Sequence, residues 1–356
     1  MLGTPQEEYT LVDHVALRQF VTEVFTRLKV PPEDAAAAAD ILVRSDLRGI
    51  DSHGVARLDS YYVTRLMAGT TEPCVELRVE RETPTSLLLD ARNGLGMVVG
   101  YHAMQRCIDK ARESGLAMVT VANSNHYGIA GYYAMMALPH DMIGISLTNA
   151  SRFVVPTFGK ESMFGTNPIA FAAPTKEELP FVLDMATSGV AVGKLEIALR
   201  QGVPIPLGWA QDKDGHPTTD PRAGLIGRAL MPLGGTREHG SHKGYGLAVM
   251  VDILCGVLSG NGYGPAIQPS KTAHFFAAMR VDAFRDVDDF KTMMDAMIRD
   301  LRASGKAEGH DRIYVAGEIE WEYEKERKEK GIPLHPLVIA SLKTVSEKTG
   351  VPLKIG

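Results

Sequence analysis

From about residue 76 onward, short runs of β-branched residues and leucines alternate with helix-length amphipathic segments. Residues 86–90 and 117–122 have the composition of buried strands, and residues 98–114 between them have that of a helix. Strands that alternate with helices favour an α/β sheet whose faces are covered by helices. We therefore predict an α/β fold here. Further candidate strands are residues 142–147, 181–188 and 273–281, and further candidate helices are residues 190–200, 247–258, 287–304 and 320–330.

The two ends of the chain have a helical pattern instead. Residues 11–69 contain three helix-length segments, of which the second opens on Pro31 and Pro32 and continues as an alanine-rich run. Proline is favoured in the first turn of a helix, which supports that start. Residues 334–349 form a last amphipathic segment, with Gly350 as its stop. We expect this tail to return to the N-terminal helical layer.

Composition excludes several classes of protein. The 356 residues are 45% hydrophobic and 23% charged, which is typical of a globular protein and not of a disordered one. The net charge of −5 argues against a broad nucleic-acid surface. The apolar run over residues 246–258 is too short to span a bilayer, and residues 1–10 lack the apolar core of a signal peptide. Cys74, Cys107 and Cys255 match no metal-ligand spacing, and so sparse a set suits the reducing cytoplasm.

The residues around His53 are the strongest candidates for a catalytic site. Asp51 and Ser52 are good helix N-caps, and apolar residues recur at helical spacing after them, which predicts a helix that begins at about Ser52. On such a helix His53, Arg57 and Tyr61 share one face, because they are spaced by four residues. An imidazole, a guanidinium and a phenol in one row suit a small 2-oxo or 2-hydroxy acid.

The chemistry of that row explains the preference. The Arg57 guanidinium can hold a carboxylate by two parallel hydrogen bonds, while the His53 imidazole exchanges a proton with the neighbouring carbonyl or hydroxyl oxygen. The positive end of the helix dipole should lower the pKa of His53 and leave it near neutrality. The alternative is that His53 makes only a local hydrogen bond and Arg57 a surface ion pair, since pairs at this spacing are common and weak.

Polar residues also follow two of the candidate strands. In residues 123–127, two asparagine amides and a serine hydroxyl precede His126 at the end of a candidate strand. The ends of strands are where open α/β sheets bind ligands. An asparagine-rich turn with a capping role is an equal alternative. Asp184 ends the strand at residues 181–188 and is a candidate to orient a histidine; its other interpretation is an N-cap for the helix at residues 190–200.

Two glycine-rich segments are candidate phosphate sites. Gly94, Gly96 and Gly100 have the spacing G-x-G-x-x-x-G, one residue off the Rossmann fingerprint, and no carboxylate ends the next strand, so they serve equally as a tight turn and packing surface. Residues 240–246 include His242 and Lys243 ahead of an apolar helix, which suits an anion or a plain glycine-rich helix start. The Gly- and Pro-rich residues 201–240 before them are expected to have little regular structure.

Five motifs occur in order along nearly the whole chain. They are Asp51-Ser52-His53-Gly54 with Arg57 and Tyr61, Asn123-Ser124-Asn125-His126-Tyr127-Gly128, Gly165-Thr166-Asn167-Pro168, Leu183-Asp184-Met185-Ala186 and His242-Lys243-Gly244-Tyr245-Gly246. Taken together, these motifs and their order resemble those of the type-2 malate/L-lactate dehydrogenase family, whose members include sulfolactate and ureidoglycolate dehydrogenases, diketogulonate reductase and piperideine-carboxylate reductase.

The resemblance implies a fold and an assembly. Family members bind NAD or NADP on an α/β fold unlike the Rossmann fold, here a mixed sheet with helices on both faces, so the glycine turn at residues 94–100 is structural. They are homodimers or larger assemblies with the active site between protomers. The implied division is a helical substrate and dimer domain of residues 1–75 with 321–356, and an NAD(P)-binding domain of residues 76–320, which contains the excursion at 201–240.

The resemblance also implies roles for individual residues. His53 resembles the acid/base, with His126 a second catalytic candidate and Asp184 a third; Ser52, Arg57 and Tyr61 resemble substrate contacts. Cofactor contacts are implied for Asn149, Asp184, Met185, Ala186, His242, Lys243, Gly317 and Glu318, and no metal is implied. The expected reaction is hydride transfer between NAD or NADP and C2 of a small 2-hydroxy or 2-oxo carboxylic acid. Two alternatives remain, reduction of a cyclic imine carboxylate or diketo sugar acid, and binding of a metabolite without catalysis.

Overall fold

The computed structural model describes residues 9–267 and 271–355. The N-terminal part contains strand β1 (Thr10–Val12), helix α1 (His14–Arg27) and helix α2 (Pro32–Leu47). Asp13 caps α1 through its carboxylate, which accepts hydrogen bonds from two backbone N–H groups, and Pro32 opens α2 as its sequence predicts. A 3₁₀ turn (Val55–Arg57), a π-helical turn (Leu58–Val63) and the short helix α3 (Thr64–Met67) follow.

The central sheet has seven strands in the order β2-β3-β4-β10-β5-β6-β7. Only the β3–β4 pair is parallel; the other neighbours run antiparallel. A Rossmann sheet is mostly parallel, so the prediction of a mixed, non-Rossmann sheet is confirmed. The strands are β2 (Arg78–Glu82), β3 (Ser86–Asp90), β4 (Leu116–Ser124), β5 (Met142–Thr148), β6 (Ile169–Ala173), β7 (Phe181–Met185) and, from late in the chain, β10 (Thr272–Arg280).

Helices cover both faces of the sheet, as predicted. Successive side chains of a strand point to opposite faces, and in β10 Phe276 and Ala278 join one hydrophobic cluster while Phe275 and Ala277 join another. The first face packs against α4 (Gly96–Ser114) and α5 (Ala130–Met135). The second face is covered by α8 (Ser241–Val251) and the π-helical turn Asp252–Val257 that continues it.

The glycines before α4 have a packing role. A Cβ on Gly96 would overlap the backbone carbonyls that follow β4, and one on Gly100 would overlap the Tyr133 ring. The turn therefore brings α4 close to the loop that carries His126, and its three glycines fit the structural interpretation of this segment.

The C-terminal elements return to the N-terminal layer, as expected. After α9 (Val287–Ala303), they are α10 (Glu318–Lys330), β11 (Ile332–Leu334) and α11 (Pro336–Thr349). β11 pairs with β1, α10 packs on α2, and α11 contacts α1 and the turns at residues 55–63. Gly350 ends α11 in the left-handed conformation, with φ of 71°. The division into two separate domains stays a prediction.

Residues 201–240 have little regular structure, as predicted. After α6 (Val192–Gln201) they contain β8 (Ala210–Gln211), β9 (Pro217–Thr218) and α7 (Pro221–Gly227), and a small hydrophobic cluster around Leu195 and Leu230 gives these short elements a core. The predicted start of the next helix was wrong. Helix α8 begins at Ser241 and not at Leu247, since the left-handed Gly240, with φ of 90°, permits an earlier start. In the part of the chain that is described, no helix has the length and apolarity needed to cross a membrane.

Candidate active site

The segment at residues 51–57 is a turn, so the predicted helix start at Ser52 was wrong. The Asp46 carboxylate at the end of α2 accepts the Val55 N–H at 2.8 Å and packs directly on Gly54, where no Cβ could fit. Asp51 pairs with Arg327 of α10 and caps no helix. Burial raises the pKa of Asp46 well above its usual value. Long-range contacts from α2 and α10 therefore replace the helical conformation that local propensity favours.

This turn places His53 beside His126. The two imidazole rings stack with their centroids 5.6 Å apart and their planes 18° apart, and Tyr61 meets His126 edge-on at 4.8 Å. Ser52 Oγ lies 2.8 Å from His53 Nδ1. Four of the residues that the sequence nominated are therefore in one cluster, although through a turn and not along one helical face.

Arg57 completes this cluster. Its Nε donates to the backbone carbonyl of Ser52 at 2.7 Å, and its guanidinium lies 5.3 Å from the centre of the Tyr61 ring. Its terminal nitrogen approaches Gly193 at the start of α6, where the absent side chain leaves space. Within residues 9–267 and 271–355, Arg57 forms no ion pair with a carboxylate. The alternative of a surface ion pair is thus not what the structure shows.

His126 lies at the end of β4 and has a buried partner that the sequence analysis missed. The Tyr62 hydroxyl lies 2.7 Å from His126 Nδ1, and the Gly128 N–H donates to the same nitrogen at 3.3 Å. With Nδ1 held inside the protein, Nε2 is the nitrogen left for other partners. In the sequence Tyr62 has the spacing of an apolar helix position after Ser52, and only its adjacency to Tyr61 signals a polar role.

Both imidazoles are held in the neutral form. Burial, followed by the nearby Arg57 charge, lowers the pKa of His53 to about 4. Burial also lowers the pKa of His126 well below its usual value, and His53 and Arg57 add to the effect. The direction agrees with the expectation for His53, but the shift is larger than expected and its cause is burial in place of a helix dipole.

Asp184 has a different partner from either one predicted. Its carboxylate accepts the Gly131 N–H at 2.7 Å, at the start of α5, and so caps that helix in place of α6 or a histidine. Burial raises the pKa of Asp184 to about 6, against the opposing effects of the Gly131 hydrogen bond and the Arg48 charge. Asp184 lines a cavity of about 200 Å³, to which Gly317 also contributes.

Several cofactor candidates share one edge of the sheet with His126. β4, β5 and β7 run in the same direction, because each is separated from the next by one antiparallel strand. His126 follows β4, Asn149 follows β5, and Met185 and Ala186 end β7 and follow it. Asn149 is buried, and its side-chain oxygen accepts the Ala273 N–H at 2.8 Å. The other cofactor candidates lie at the starts of two helices, His242 and Lys243 at α8, and Gly317 and Glu318 at α10.

His242 and Lys243 occupy the first turn of α8 and are both exposed. Gly317 adopts the left-handed conformation, with φ of 96°, and precedes α10. Glu318 is buried, accepts the Val315 N–H at 2.9 Å and pairs with Arg302 and Arg312. Its carboxylate is therefore engaged within the protein, whereas His242 and Lys243 face outward.

Comparisons with known proteins place this chain among characterised sequences. The family model described as malate/L-lactate dehydrogenase matches residues 12–343. Malate dehydrogenase from Pyrococcus horikoshii is 44% identical over 355 residues, with 98% of each chain covered. L-sulfolactate dehydrogenase from Methanocaldococcus jannaschii is 36% identical over 344 residues, which cover 95% of this chain and 96% of that one.

A solved structure gives the same result for the fold. Malate dehydrogenase from Entamoeba histolytica is similar with a TM-score of 0.93 at 38% identity, and the match covers 97% of this chain and 99% of that one. Sequence and structure thus agree over nearly the full length. The chain belongs to the malate/L-lactate dehydrogenase family.

Proposed function

We propose that this protein transfers a hydride between a nicotinamide cofactor and C2 of a small 2-hydroxy or 2-oxo carboxylic acid. The observation that carries the proposal is the cluster of His53, His126 and Arg57, in which the guanidinium has no acidic partner among the described residues. A positive, planar group with free donors beside two neutral imidazoles suits a substrate that combines a carboxylate with a neighbouring carbonyl or hydroxyl oxygen.

The described residues fit a dinucleotide cofactor. Lys243 and His242 are exposed in the first turn of the eleven-residue helix α8, and Lys243 has no ion pair in the described part of the chain, so the two are available to a pyrophosphate. Met185 and Ala186, at the end of β7, are proposed to contact the nicotinamide, and Asn149 and Gly317 the neighbouring parts. When bound, NAD or NADP supplies the hydride.

His53 is the proposed proton donor in the reducing direction. Because the resting imidazole is neutral, His53 takes up a proton from solvent when the acid binds and passes that proton to the substrate oxygen as C2 is reduced. Arg57 holds the carboxylate, and Ser52 and Tyr61 line the same cluster. A bound carboxylate would neutralise Arg57, the second cause of the low pKa of His53, and so raise that pKa when the substrate arrives. Ser52 Oγ can donate or accept at Nδ1, which suits a group that alternates between two protonation states.

His126 is the second candidate for the same step. Its Nδ1 is held by the Tyr62 hydroxyl, and such a partner on the far nitrogen orients a catalytic imidazole. Asp184 makes no hydrogen bond to either histidine in the described structure; its proposed part is to fix the start of α5, next to the loop that carries His126.

The proposed assembly is a homodimer in the cytoplasm. Its support on this chain is a row of exposed apolar side chains along the end of α8 and the turn after it, where Ile253, Val257 and Leu258 are each more than half exposed. Light scattering after size-exclusion chromatography tests this; a single species of 38.6 kDa would contradict it.

A substrate panel tests the proposed reaction. Oxidation of NADH and NADPH is followed by absorbance with oxaloacetate, pyruvate, sulfopyruvate and a cyclic imine carboxylate as acceptors. We expect turnover with at least one 2-oxo acid. Turnover with the imine alone would favour the reductase alternative, because Arg57 would hold its carboxylate equally well. No oxidation with any acceptor would contradict catalysis and favour a metabolite-binding protein.

A further inference from the structure

A cavity of about 660 Å³ lies beyond the residues that the sequence nominated. Ala150, Ser151, Arg152, Lys160 and Arg228 are among the residues that line it. We infer that this cavity binds a phosphate monoester, the 2′-phosphate of an adenosine ribose, so that the enzyme prefers NADP(H) to NAD(H). The inference rests on the proposed function for the identity of the ligand that bears this group.

The charge of the cavity differs from that of the whole chain. Arg152, Lys160 and Arg228 all line it, Glu161 is the only acidic residue among those that do, and the chain as a whole has a net charge of −5. No carboxylate within residues 9–267 and 271–355 forms an ion pair with any of the three cations. Three basic side chains around one cavity give it a local positive potential, which favours an anionic ligand.

Arg228 is held in place before any ligand arrives. It ends α7 in the left-handed conformation, and its guanidinium lies 4.0 Å from the centre of the Phe153 ring. One terminal nitrogen donates to the Arg152 carbonyl at 3.2 Å, and Ser162 Oγ donates to the Arg228 carbonyl. A guanidinium whose position is already fixed loses less side-chain entropy on binding a phosphate.

The cavity is continuous with the sheet edge that carries the candidate active site. Ala150 follows Asn149 directly after β5, and its N–H donates to Asn167 Oδ1 at 3.1 Å. Thr187, two residues after β7, donates through its hydroxyl to the Asn167 carbonyl at 3.0 Å. Asn167 thus joins the rim of the cavity to the end of β7. β5 and β7 are two strand spacings apart, or about 10 Å, so a cofactor that reaches the end of β7 has the cavity within its length.

The pattern of charges selects among the phosphates of a dinucleotide. In Rossmann proteins a carboxylate binds the ribose 2′-hydroxyl of NAD and an arginine accommodates the 2′-phosphate of NADP. The same charge complementarity applies to those two groups on any fold, including this one. This cavity has two arginines and a lysine against one glutamate. The 2′-phosphate is a monoester dianion and carries more charge than either phosphate of the pyrophosphate linkage. It therefore benefits most from several cations. Lys243 is already available to the pyrophosphate.

Fragments of the cofactor test the inference without catalysis. Isothermal titration calorimetry compares 2′,5′-ADP, 5′-AMP and inorganic phosphate on the full-length protein. We expect 2′,5′-ADP to bind at least tenfold more tightly than 5′-AMP, and Arg152→Ala with Lys160→Ala to remove most of that ratio, since one charge-assisted hydrogen bond is worth about a factor of ten. Glu161→Gln should tighten 2′,5′-ADP. Arg106→Ala, an exposed arginine of α4 outside the cavity, should change nothing.

The outcomes separate this inference from the proposed function. Equal affinities for 2′,5′-ADP and 5′-AMP would overturn the inference. So would an affinity ratio that is unchanged in the double variant, even if that variant no longer bound inorganic phosphate. If the ratio and its loss are as expected but neither reduced cofactor is oxidised with any acid, the phosphate site stands and the proposed reaction fails.

Discussion

At the scale of single residues, the nitrogens of the Arg57 guanidinium have two different uses. Its Nε is used by the Ser52 carbonyl, so the terminal nitrogens are what a ligand would meet. This arrangement is specific to a guanidinium, because an ammonium group lacks the planar fork that directs Nε to the Ser52 carbonyl and two terminal nitrogens to a carboxylate. Arg57 thus stabilises the turn through the Ser52 carbonyl and, by our proposal, binds the substrate carboxylate.

Replacement of Arg57 by lysine tests this double use. We expect Arg57→Lys to raise the KM for the 2-oxo acid by about tenfold to a hundredfold, with a smaller change in the Kd of the reduced cofactor, because the fork that holds the carboxylate is lost. Steady-state kinetics and a cofactor titration measure the two effects. Arg65→Lys is the matched control, because the Arg65 guanidinium also lies over the Tyr61 ring, at 5.5 Å from its centre. An unchanged KM for Arg57→Lys would remove this residue from the carboxylate site.

At the scale of elements, the turn at residues 51–57 and the strand β10 position the site. Both depend on contacts between residues far apart in the chain, the first through Asp46 and the second through His274. His274 is fully buried in β10, with Nδ1 2.8 Å from Thr148 Oγ1 and Nε2 2.7 Å from Ser124 Oγ. It therefore connects the ends of β4 and β5, from which His126 and Asn149 follow.

Addition of a methyl group at Gly54 should disrupt the turn. A Cβ there would overlap the Asp46 carboxylate, which would have to release the Val55 N–H. We expect Gly54→Ala to lower the free energy of unfolding by about 1–3 kcal/mol and to reduce turnover strongly. Urea denaturation and activity assays measure both. Gly305→Ala, with open space around it, should behave as the native protein does; if both variants do so, Asp46 does not hold the turn.

Because His274 is buried, we expect the stability of the protein to fall as the pH is lowered. Burial lowers its pKa from 6.5 to about 3, so the folded protein keeps it neutral while the unfolded chain takes up a proton below about pH 6.5. The stability that it contributes is therefore present above that pH and falls toward pH 3, by about 1.4 kcal/mol per pH unit. His274→Gln keeps a polar group near Ser124 but cannot titrate. The difference in unfolding free energy between native protein and variant should shrink between pH 6.5 and 5; a constant difference would contradict a neutral His274.

At the scale of the whole molecule, the C-terminal elements support the N-terminal turn. Arg327 of α10 donates to the Asp46 carbonyl and pairs with Asp51, and Arg48 pairs with the buried Glu324 at 3.3 Å. Residues about 280 positions apart in sequence therefore fix the segment that carries His53. The end of the chain matters to a site near its beginning.

Loss of this connection should affect both stability and activity. We expect Arg327→Ala to lower the free energy of unfolding by about 1–3 kcal/mol and to reduce turnover, because Asp51 and the Asp46 carbonyl lose their partner. Lys330→Ala removes an exposed ion pair with Glu326 on the same helix and should cost little. Thermal denaturation and kinetics of the two variants compare them. Equal effects would show that the turn does not depend on α10.

Much of the fold could be predicted from local pattern, because periodicity and capping residues act over a few positions. Most strands and helices begin and end close to where their apolar residues do, although the exposed, charged strand β2 does not. What local pattern could not show was the insertion of β10 between β4 and β5, the capping of α5 by Asp184, and the turn imposed on Ser52 and His53 by Asp46. Each depends on a partner more than eight residues away, and the cationic cavity depends on four separate segments.

The central claim is that the His53 and His126 cluster delivers a proton as a hydride reaches C2 of a 2-oxo acid. The most direct measurement is the single-turnover rate of oxidation of bound reduced cofactor, after rapid mixing with the best acid of the panel, for native protein, His53→Ala and His126→Ala at equal cofactor occupancy. We predict that His53→Ala lowers this rate by about 10²–10⁴-fold while the Kd of the cofactor changes little. A larger loss in His126→Ala would assign the proton to that residue, and undiminished rates in both variants would contradict the claim.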